Sequence, residues 1–210
     1  MVFEFNKQAA EKGYVNGEYK LGYCYVNGIG TEINKEKGFE LYNKAAEKED
    51  DNLRINIGLV YENKDKIVKD LDKVNYWYQK SAESDNKIAL YKLGELYELG
   101  KGIVEDVLMA FEFYKESAEK GYINGKYKLG YYYDHGIGTD NDKEKAFDLY
   151  KVAAEEGNVD AQKSLVLLYE YGKDTQNNIN IVNYWHKKVI KNGFQEVKKK
   201  FRKTFKTMTH

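Results

Sequence analysis

The chain has 210 residues, and its 34 basic residues balance its 34 acidic residues, so its formal net charge is zero. This balance argues against a nucleic-acid binder that works through bulk positive charge. Hydrophobic residues make up 42% of the chain and aromatic residues 15%, which suits a packed core and excludes a disordered chain. A single cysteine, Cys24, excludes an internal disulfide framework and a cysteine-based zinc site.

The chain carries no recognisable signal for a membrane or for secretion. No apolar run approaches the roughly 18 residues of a membrane-spanning helix. Residues 1–6 lack the basic segment and the apolar stretch of a secretory signal. We therefore expect no transmembrane segment and, by default, a cytoplasmic location.

The sequence repeats itself every 36 residues. Gly-Ile-Gly-Thr occurs at residues 28–31 and again at 136–139, three such steps later. An apolar column follows the same step and reads Leu21, Ile57, Leu93, Leu129, Leu165 and Phe201. A period of this size indicates a repeat architecture. We predict a single domain over 1–210 that consists of a half-repeat at 1–16, repeats at 17–52, 53–88, 89–124, 125–160 and 161–196, and a half-repeat at 197–210.

Each repeat begins with a predicted first helix. Leu21, Cys24 and Tyr25 fall on one stripe of this helix in the first full repeat. Glycine recurs inside the helix, where it costs about 1 kcal/mol relative to alanine. The glycine column reads Gly22, Gly58, Gly94 and Gly130. We expect the close approach of another backbone to compensate for this cost, because a side chain would block that approach.

Paired glycines predict the turn that joins the two helices of a repeat. The pairs are Gly28 with Gly30, Gly100 with Gly102, and Gly136 with Gly138. In the second full repeat the equivalent positions hold Lys64 and Lys66, so that turn needs another conformation.

The second half of each repeat also has a helical period, with apolar or small residues at positions 38, 41, 42, 45 and 46. An Asx residue precedes this helix and is predicted to cap its N-terminus, at Asn34, Asp70, Asp106, Asp142 and Asn178. Glycine suits the left-handed residue after the helix and stands at Gly13, Gly121, Gly157 and Gly193. Glu49 and Asp85 interrupt this column, so the helices that end there are predicted to stop differently.

The fourth full repeat shows the unit most clearly, with Leu129-Gly130, Tyr133, Gly136-Ile137-Gly138, Asp142 and Ala153-Ala154. This unit resembles the Sel-one-like repeat, a member of the tetratricopeptide-like α/α class, and the resemblance extends over essentially the whole chain. It implies an all-α fold, a right-handed α/α superhelix (solenoid) of 36-residue helix-turn-helix repeats. It also implies a scaffold or adaptor that holds other proteins together.

No group of residues supports catalysis, and we predict no catalytic, cofactor or metal site. The three histidines, His135, His186 and His210, form no pair at helical spacing, so a zinc site is unsupported. His186 occupies a tyrosine column and is predicted to replace a core or interface aromatic residue. Cys24 is predicted to be a buried small hydrophobe rather than a nucleophile.

A stripe at positions 19, 23 and 26 lies on the opposite side of the first helix from Leu21 and Tyr25. In a tetratricopeptide-like superhelix the first helices line the concave surface, so this stripe is expected to face a partner-binding groove. The predicted groove residues are Tyr19, Tyr23, Glu62, Tyr91, Glu95, Glu98, Tyr127, Tyr131, Asp134 and Glu170. The alternatives are that the tyrosines of the Tyr19 column pack against neighbouring units and that the acids are ordinary exposed residues.

The favoured hypothesis is a non-catalytic adaptor or scaffold whose groove holds a protein or peptide segment with basic and apolar side chains. The alternative is a regulatory repeat module or fragment of a larger signalling protein, for example one linked to a kinase. Because the chain begins and ends inside a repeat, self-association through the terminal half-repeats is a further expectation. The basic residues at 198–203 are predicted to lie on the polar face of a terminal helix, with contact to an acidic partner or membrane surface as the alternative.

Overall fold

The computed structural model describes residues 1–48, 51–62 and 71–171, together with positions 184, 187, 188 and 191. Ten α-helices and no β-strand occur within these residues, as the prediction of an all-α protein requires. The helices are α1 (Val2–Glu11), α2 (Val15–Asn27), α3 (Lys35–Ala46), α4 (Asp51–Glu62), α5 (Leu71–Ala82), α6 (Lys87–Leu99), α7 (Val107–Glu119), α8 (Ile123–His135), α9 (Lys143–Glu155) and α10 (Val159–Tyr171).

The helix boundaries follow the period of the sequence. The first helices of the repeats, α2, α4, α6, α8 and α10, begin at residues 15, 51, 87, 123 and 159. The second helices α3, α5, α7 and α9 begin at residues 35, 71, 107 and 143, and α1 is the second helix of the half-repeat at 1–16. Each first helix therefore starts two residues before the predicted boundary of its repeat.

The contacts divide the chain into two compact units, Met1–Asp106 and Val107–His210. In the first unit each helix from α1 to α6 packs against the next one along the chain. In the second unit α7 packs against α8, α8 against α9, and α9 against α10. The assignment of all 210 residues to one domain stays a prediction.

A column of tyrosines on the second helices forms the centre of the core in both units. Tyr42 and Tyr78 in the first unit and Tyr114 and Tyr150 in the second are almost completely buried. The predicted leucine column on the first helices is buried as well, at Leu21, Ile57, Leu93, Leu129 and Leu165. Phe201 and His186, the last members of these two columns, lie outside the described residues.

The glycine inside each first helix makes room for this core. A Cβ atom at Gly22 would lie 2.8 Å from the carbonyl oxygen of Gly38, which confirms the predicted close approach of a second backbone. At Gly58 the obstacle is a side chain, because a Cβ atom would lie 2.4 Å from Cε1 of Tyr78. The helix glycine is thus matched to a buried tyrosine ring as well as to a neighbouring backbone.

Two of the predicted caps and all three paired-glycine turns are observed. The Asn34 side chain accepts a hydrogen bond from the Lys37 backbone N–H at 3.0 Å, and Asp142 accepts one from Lys145 at 3.0 Å. Asp106 directly precedes α7, whereas Asp70 and Asn178 lie outside the described residues. All six glycines of the paired turns have a left-handed backbone, with φ between +57° and +75°. The turn at Lys64 and Lys66 lies outside the described residues.

The end of α5 differs from the prediction. Gly13, Gly121 and Gly157 take left-handed backbone angles, with φ of +80°, +78° and +99°, as predicted. Asp85 takes the same conformation, with φ of +61°, so the prediction that α5 stops differently is wrong. The Asp85 N–H donates to the Ala82 carbonyl at 2.9 Å, as the Gly121 N–H donates to Ala118. Glu49 and Gly193 lie outside the described residues.

Asp85→Gly is expected to stabilise the protein by about 0.5–1 kcal/mol, because glycine adopts the left-handed region without the steric cost of a Cβ atom. The gain is reduced by the greater freedom of glycine in the unfolded chain. The midpoint of urea unfolding measures the change. Gly121→Asp is the matched control, since a Cβ atom there meets nothing within 4 Å and only the backbone angle opposes it. A lower midpoint for Asp85→Gly would contradict the conclusion that the left-handed backbone of Asp85 costs stability.

Candidate functional site

The three columns of the predicted groove have different surroundings. In the column of Tyr19, the rings pack on the tyrosine core: Tyr19 lies 5.1 Å from Tyr42, and Tyr127 lies 5.8 Å from Tyr150, between ring centroids. Burial raises the pKa of Tyr19 and of Tyr42 above the usual value for tyrosine. These contacts match the alternative in which this column has a packing role.

The acidic column is paired with the buried tyrosine hydroxyls. In the first unit, the Tyr78 hydroxyl donates to Glu62 Oε2 at 2.9 Å. In the second unit, the Tyr150 hydroxyl donates to Asp134 Oδ2 at 3.3 Å. Burial, and then the charge of these carboxylates, raises the pKa of both phenols, so they remain hydrogen-bond donors. The acids are therefore tied to the core, which sequence reasoning did not anticipate.

A lysine joins two of the predicted acids in the first unit. The Lys92 ammonium lies 2.8 Å from Glu95 Oε2 and 3.5 Å from Glu62 Oε2. Burial lowers the pKa of Lys92, but the hydrogen bonds and charges of the two carboxylates outweigh it, and the net pKa is raised. The Tyr91 hydroxyl donates to Glu95 Oε1 at 3.1 Å. Four polar side chains from α4 and α6 thus form one connected network.

In the second unit, three predicted residues of α8 line one cavity of about 390 Å³. These are Tyr127, Tyr131 and Asp134, and Leu167 and Leu168 of α10 also line it. The Tyr150 ring of α9 contributes to the lining and carries the hydroxyl that binds Asp134.

Lys143 and His135 also line this cavity and were not among the predicted site residues. Lys143, at the start of α9, reaches Asp134 with its ammonium, which forms an ion pair with the carboxylate and donates to the main-chain oxygen of Asp134 at 2.8 Å. His135 stacks on Tyr131 with 4.0 Å between ring centroids, and its Nδ1 lies 3.8 Å from Asp134 Oδ2. The carboxylate of Asp134 is therefore the polar centre of the cavity.

The middle column, which contains Tyr23, is the most exposed of the three. Tyr23 is 45% exposed and Leu59 is 39% exposed in the first unit, and Leu167 is 52% exposed in the second. Glu95 and Tyr131, the other members, are partly buried. Tyr23 also lines a cavity of about 620 Å³ between α1 and α2, together with Val2, Phe5 and Ile29. Glu98 is partly buried in α6, and the side chain of Glu170 in α10 lies outside the described residues.

The remaining predictions concern the cysteine, a metal site and a membrane-spanning helix. Cys24 is buried, as predicted, and its sulfur accepts a hydrogen bond from the Asn6 amide at 3.6 Å. Within the described ranges, no group of three or more His, Cys, Asp or Glu side chains is placed to hold a metal ion. No helix in that part of the chain has the length and apolar character needed to cross a membrane. His210 and the basic residues at 198–203 lie outside it.

Comparison with known proteins decides the family. The family model described as the Sel1 repeat matches residues 15–50, 56–86, 87–122 and 124–158. The chain belongs to the Sel1 repeat family. Sel1 repeat proteins are generally protein-interaction modules and are typically non-catalytic. The resemblance to the Sel-one-like repeat noted in the sequence is thus confirmed.

Solved structures agree with this assignment. A protective antigen of uropathogenic Escherichia coli with an SLR fold is 29% identical, with a TM-score of 0.81 over 92% of this chain. This chain spans only 41% of that antigen. A Sel1 repeat protein from Oxalobacter formigenes is 31% identical, with a TM-score of 0.73 over 90% of this chain and 78% of its own. These likenesses confirm the predicted solenoid class. The search of curated proteins found no match.

Proposed function

We propose that this chain is a non-catalytic adaptor and that each of its two units binds a partner segment through the middle column of its own first helices. The column consists of Tyr23, Leu59 and Glu95 in the first unit and Tyr131 and Leu167 in the second. The partner segment carries apolar side chains for the exposed tyrosine and leucines and basic side chains for the neighbouring acids.

The observation that carries this proposal is the recurrence of exposed apolar side chains at one repeat position. Single exposed apolar residues are ordinary on protein surfaces. Val152 on a second helix is of this kind, because its column holds Lys44, Lys80, Glu116 and Lys188 in the other repeats. The column of Tyr76 holds one further exposed tyrosine, Tyr184, but is acidic at Glu40, Glu112 and Asp148. The Tyr23 column instead keeps an apolar or aromatic residue in four of its five positions. Repeated exposure at one position is typical of a binding surface.

The acids of the groove support the proposal less directly. Glu62 and Asp134 each accept a hydrogen bond from a buried tyrosine, so their replacement by lysine would disturb the core as well as the surface. Loss of binding in such variants would not separate the two effects. The middle column gives a cleaner test, because its exposed members can be changed without removing a core contact of this kind.

Tyr23→Ser and Leu167→Ser are each expected to weaken partner binding by about fivefold or more, because truncating an apolar anchor costs more than about 1 kcal/mol at an interface. The partner is first obtained by affinity capture with mass spectrometry, and the dissociation constant is then measured by isothermal titration calorimetry with purified partner. Tyr76→Ser and Val152→Ser are the controls, with 49% and 41% exposure on second helices of the same two units. Equal losses in all four variants would contradict the proposed surface.

The same capture experiment tests the alternative role as a regulatory module of a larger signalling protein. A kinase or another signalling enzyme among the specific partners would favour that role. The cytoplasmic location, the self-association and the absence of nucleic-acid binding stay predictions.

A further inference from the structure

The Asp134 cavity of the second unit has a more specific chemistry than the rest of the surface. We propose that it binds one cationic side chain, an arginine or a lysine, of the partner segment. The inference rests on the proposed function and names the anchor that the partner would insert.

The Asp134 carboxylate is largely buried and fixed in orientation. The Asp134 side chain is only 13% exposed, and the Tyr150 hydroxyl fixes its Oδ2 atom at 3.3 Å. Tyr150 is itself buried in the core cluster of the second unit, so this orientation is set by the fold rather than by a mobile surface contact. A positioned and poorly hydrated carboxylate binds a cationic group more strongly than a freely rotating one.

The walls of the cavity suit the rest of such a side chain. Tyr131 is stacked on His135, and Tyr127 is packed on Tyr150, so both rings are fixed in orientation. Aromatic rings attract ammonium and guanidinium groups, and rings combined with a carboxylate are a recurring means of recognising organic cations. Leu167 and Leu168 offer apolar contact to the methylene stem of an arginine or lysine.

The chain already places one cation on this carboxylate. Lys143 forms an ion pair with Asp134, but its side chain is 62% exposed, whereas Asp134 is 13% exposed. A partner cation can therefore replace Lys143 while the ammonium of Lys143 returns to water, and the charge of the cavity stays the same. Because one cation takes the place of another on the carboxylate and the released ammonium is rehydrated, the exchange leaves no unpaired charge in the cavity. Lys143 is then a competitor that limits the affinity for the partner.

The test uses small probes that carry only the proposed anchor: N-acetylarginine amide, N-acetyllysine amide and the uncharged N-acetylnorleucine amide. Each is titrated into the full chain at about pH 8, above the usual pKa of histidine, and binding is followed by NMR of the tyrosine ring signals, with Tyr131→Phe for assignment. We expect saturable shifts with the two cations and none with the norleucine probe. Lys143→Ala is expected to tighten binding of the cations by about two- to fivefold, as removal of an exposed ion-pair competitor predicts.

Lys145→Ala is the matched control, because Lys145 is 61% exposed on the same helix and pairs with Asp142 instead. Its cation affinity should equal that of the unmodified chain. Asp134→Asn keeps an oxygen for the Tyr150 hydroxyl and should remove cation binding while the thermal melting curve stays close to that of the parent.

Three results would overturn the cation site: no saturable shift with either cation, equal binding of the norleucine probe, or equal affinities of Lys143→Ala and Lys145→Ala. If one of them occurs while Tyr23→Ser and Leu167→Ser still weaken partner binding, the cation site fails and the proposed function stands. If Lys143→Ala tightens cation binding but Tyr23→Ser and Leu167→Ser leave partner binding unchanged, the cation site stands and the proposed surface fails.

Discussion

Replacing Lys44 and Lys48 together with methionine is expected to lower the free energy of unfolding by about 3–5 kcal/mol. The two ammonium groups neutralise Glu18, which is fully buried in the first unit. Lys48 Nζ lies 2.9 Å from Glu18 Oε1, and Lys44 Nζ lies 3.1 Å from the same atom. Methionine keeps the unbranched stem of lysine and removes its charge. The carboxylate would then be buried without a cation, and the cost of that state sets the size of the effect.

An unpaired lysine would cost less stability than the unpaired Glu18 carboxylate, because the side chains of Lys44 and Lys48 are 61% and 35% exposed and remain hydrated without Glu18. This asymmetry provides the control. Adding Glu18→Gln to the double variant removes the buried charge and should recover most of the lost stability, as measured by urea unfolding. If the triple variant is no more stable than the double variant, the loss comes from side-chain packing, and the explanation by an unpaired buried carboxylate is wrong.

The sequence predicts the helices well because each structural requirement recurs at the same position in several repeats. The caps at Asn34 and Asp142 and the left-handed turn at Gly28 and Gly30 follow from local chemistry alone. Asp85 shows where this reasoning fails. A break in the glycine column indicated a different helix end, but aspartate also tolerates the left-handed region, and the hydrogen bonds of the helix end hold it there.

The groove was harder to predict because helical spacing identifies a side of a helix but not what packs against it. Three neighbouring columns were assigned to one surface, although Tyr19 packs on Tyr42 and Glu62 accepts a hydrogen bond from Tyr78. One signal was present: the tyrosine and acid columns keep a constant separation of 16 residues, seen again in Tyr150 and Asp134. Lys143 left no such signal, since its contact depends on how α8 and α9 pack.

Glu18 also lacked a signal in the repeat. Its column reads Glu18, Arg54, Leu90, Lys126 and Gln162, so no shared residue type marks it as buried. Two members have related polar roles at the end of the preceding helix: Arg54 Nε donates to the Ala46 carbonyl at 3.1 Å, and Gln162 Nε2 donates to the Ala154 carbonyl at 3.0 Å. Leu90 is apolar, and Glu18 pairs with lysines of the following helix and its C-terminal end. Because this column holds a different residue type in each repeat, residue type alone cannot show what the position does.

Gly58→Ala is expected to destabilise the protein by about 1–3 kcal/mol, although alanine is the better helix former by about 1 kcal/mol. The added Cβ atom would lie 2.4 Å from Cε1 and 2.8 Å from Cδ1 of Tyr78. The ring is fully buried and its hydroxyl is bonded to Glu62, so it cannot move away without breaking a core contact. Steric overlap therefore exceeds the gain in helix propensity. Asn56→Ala, an exposed change on the same helix, should be neutral or stabilising.

Gly130→Ala tests the same overlap between a Cβ atom and a tyrosine ring in the second unit, where the overlap is smaller. A Cβ atom there would lie 3.0 Å from the Tyr150 ring and 3.3 Å from the Ala146 carbonyl oxygen, so the ring has to shift by only a few tenths of an ångström. The loss of stability should be smaller than for Gly58→Ala, and thermal unfolding of both variants measures the order. A stability loss for Gly130→Ala equal to or above that of Gly58→Ala would show that contact with the tyrosine ring is not what selects glycine inside the first helix.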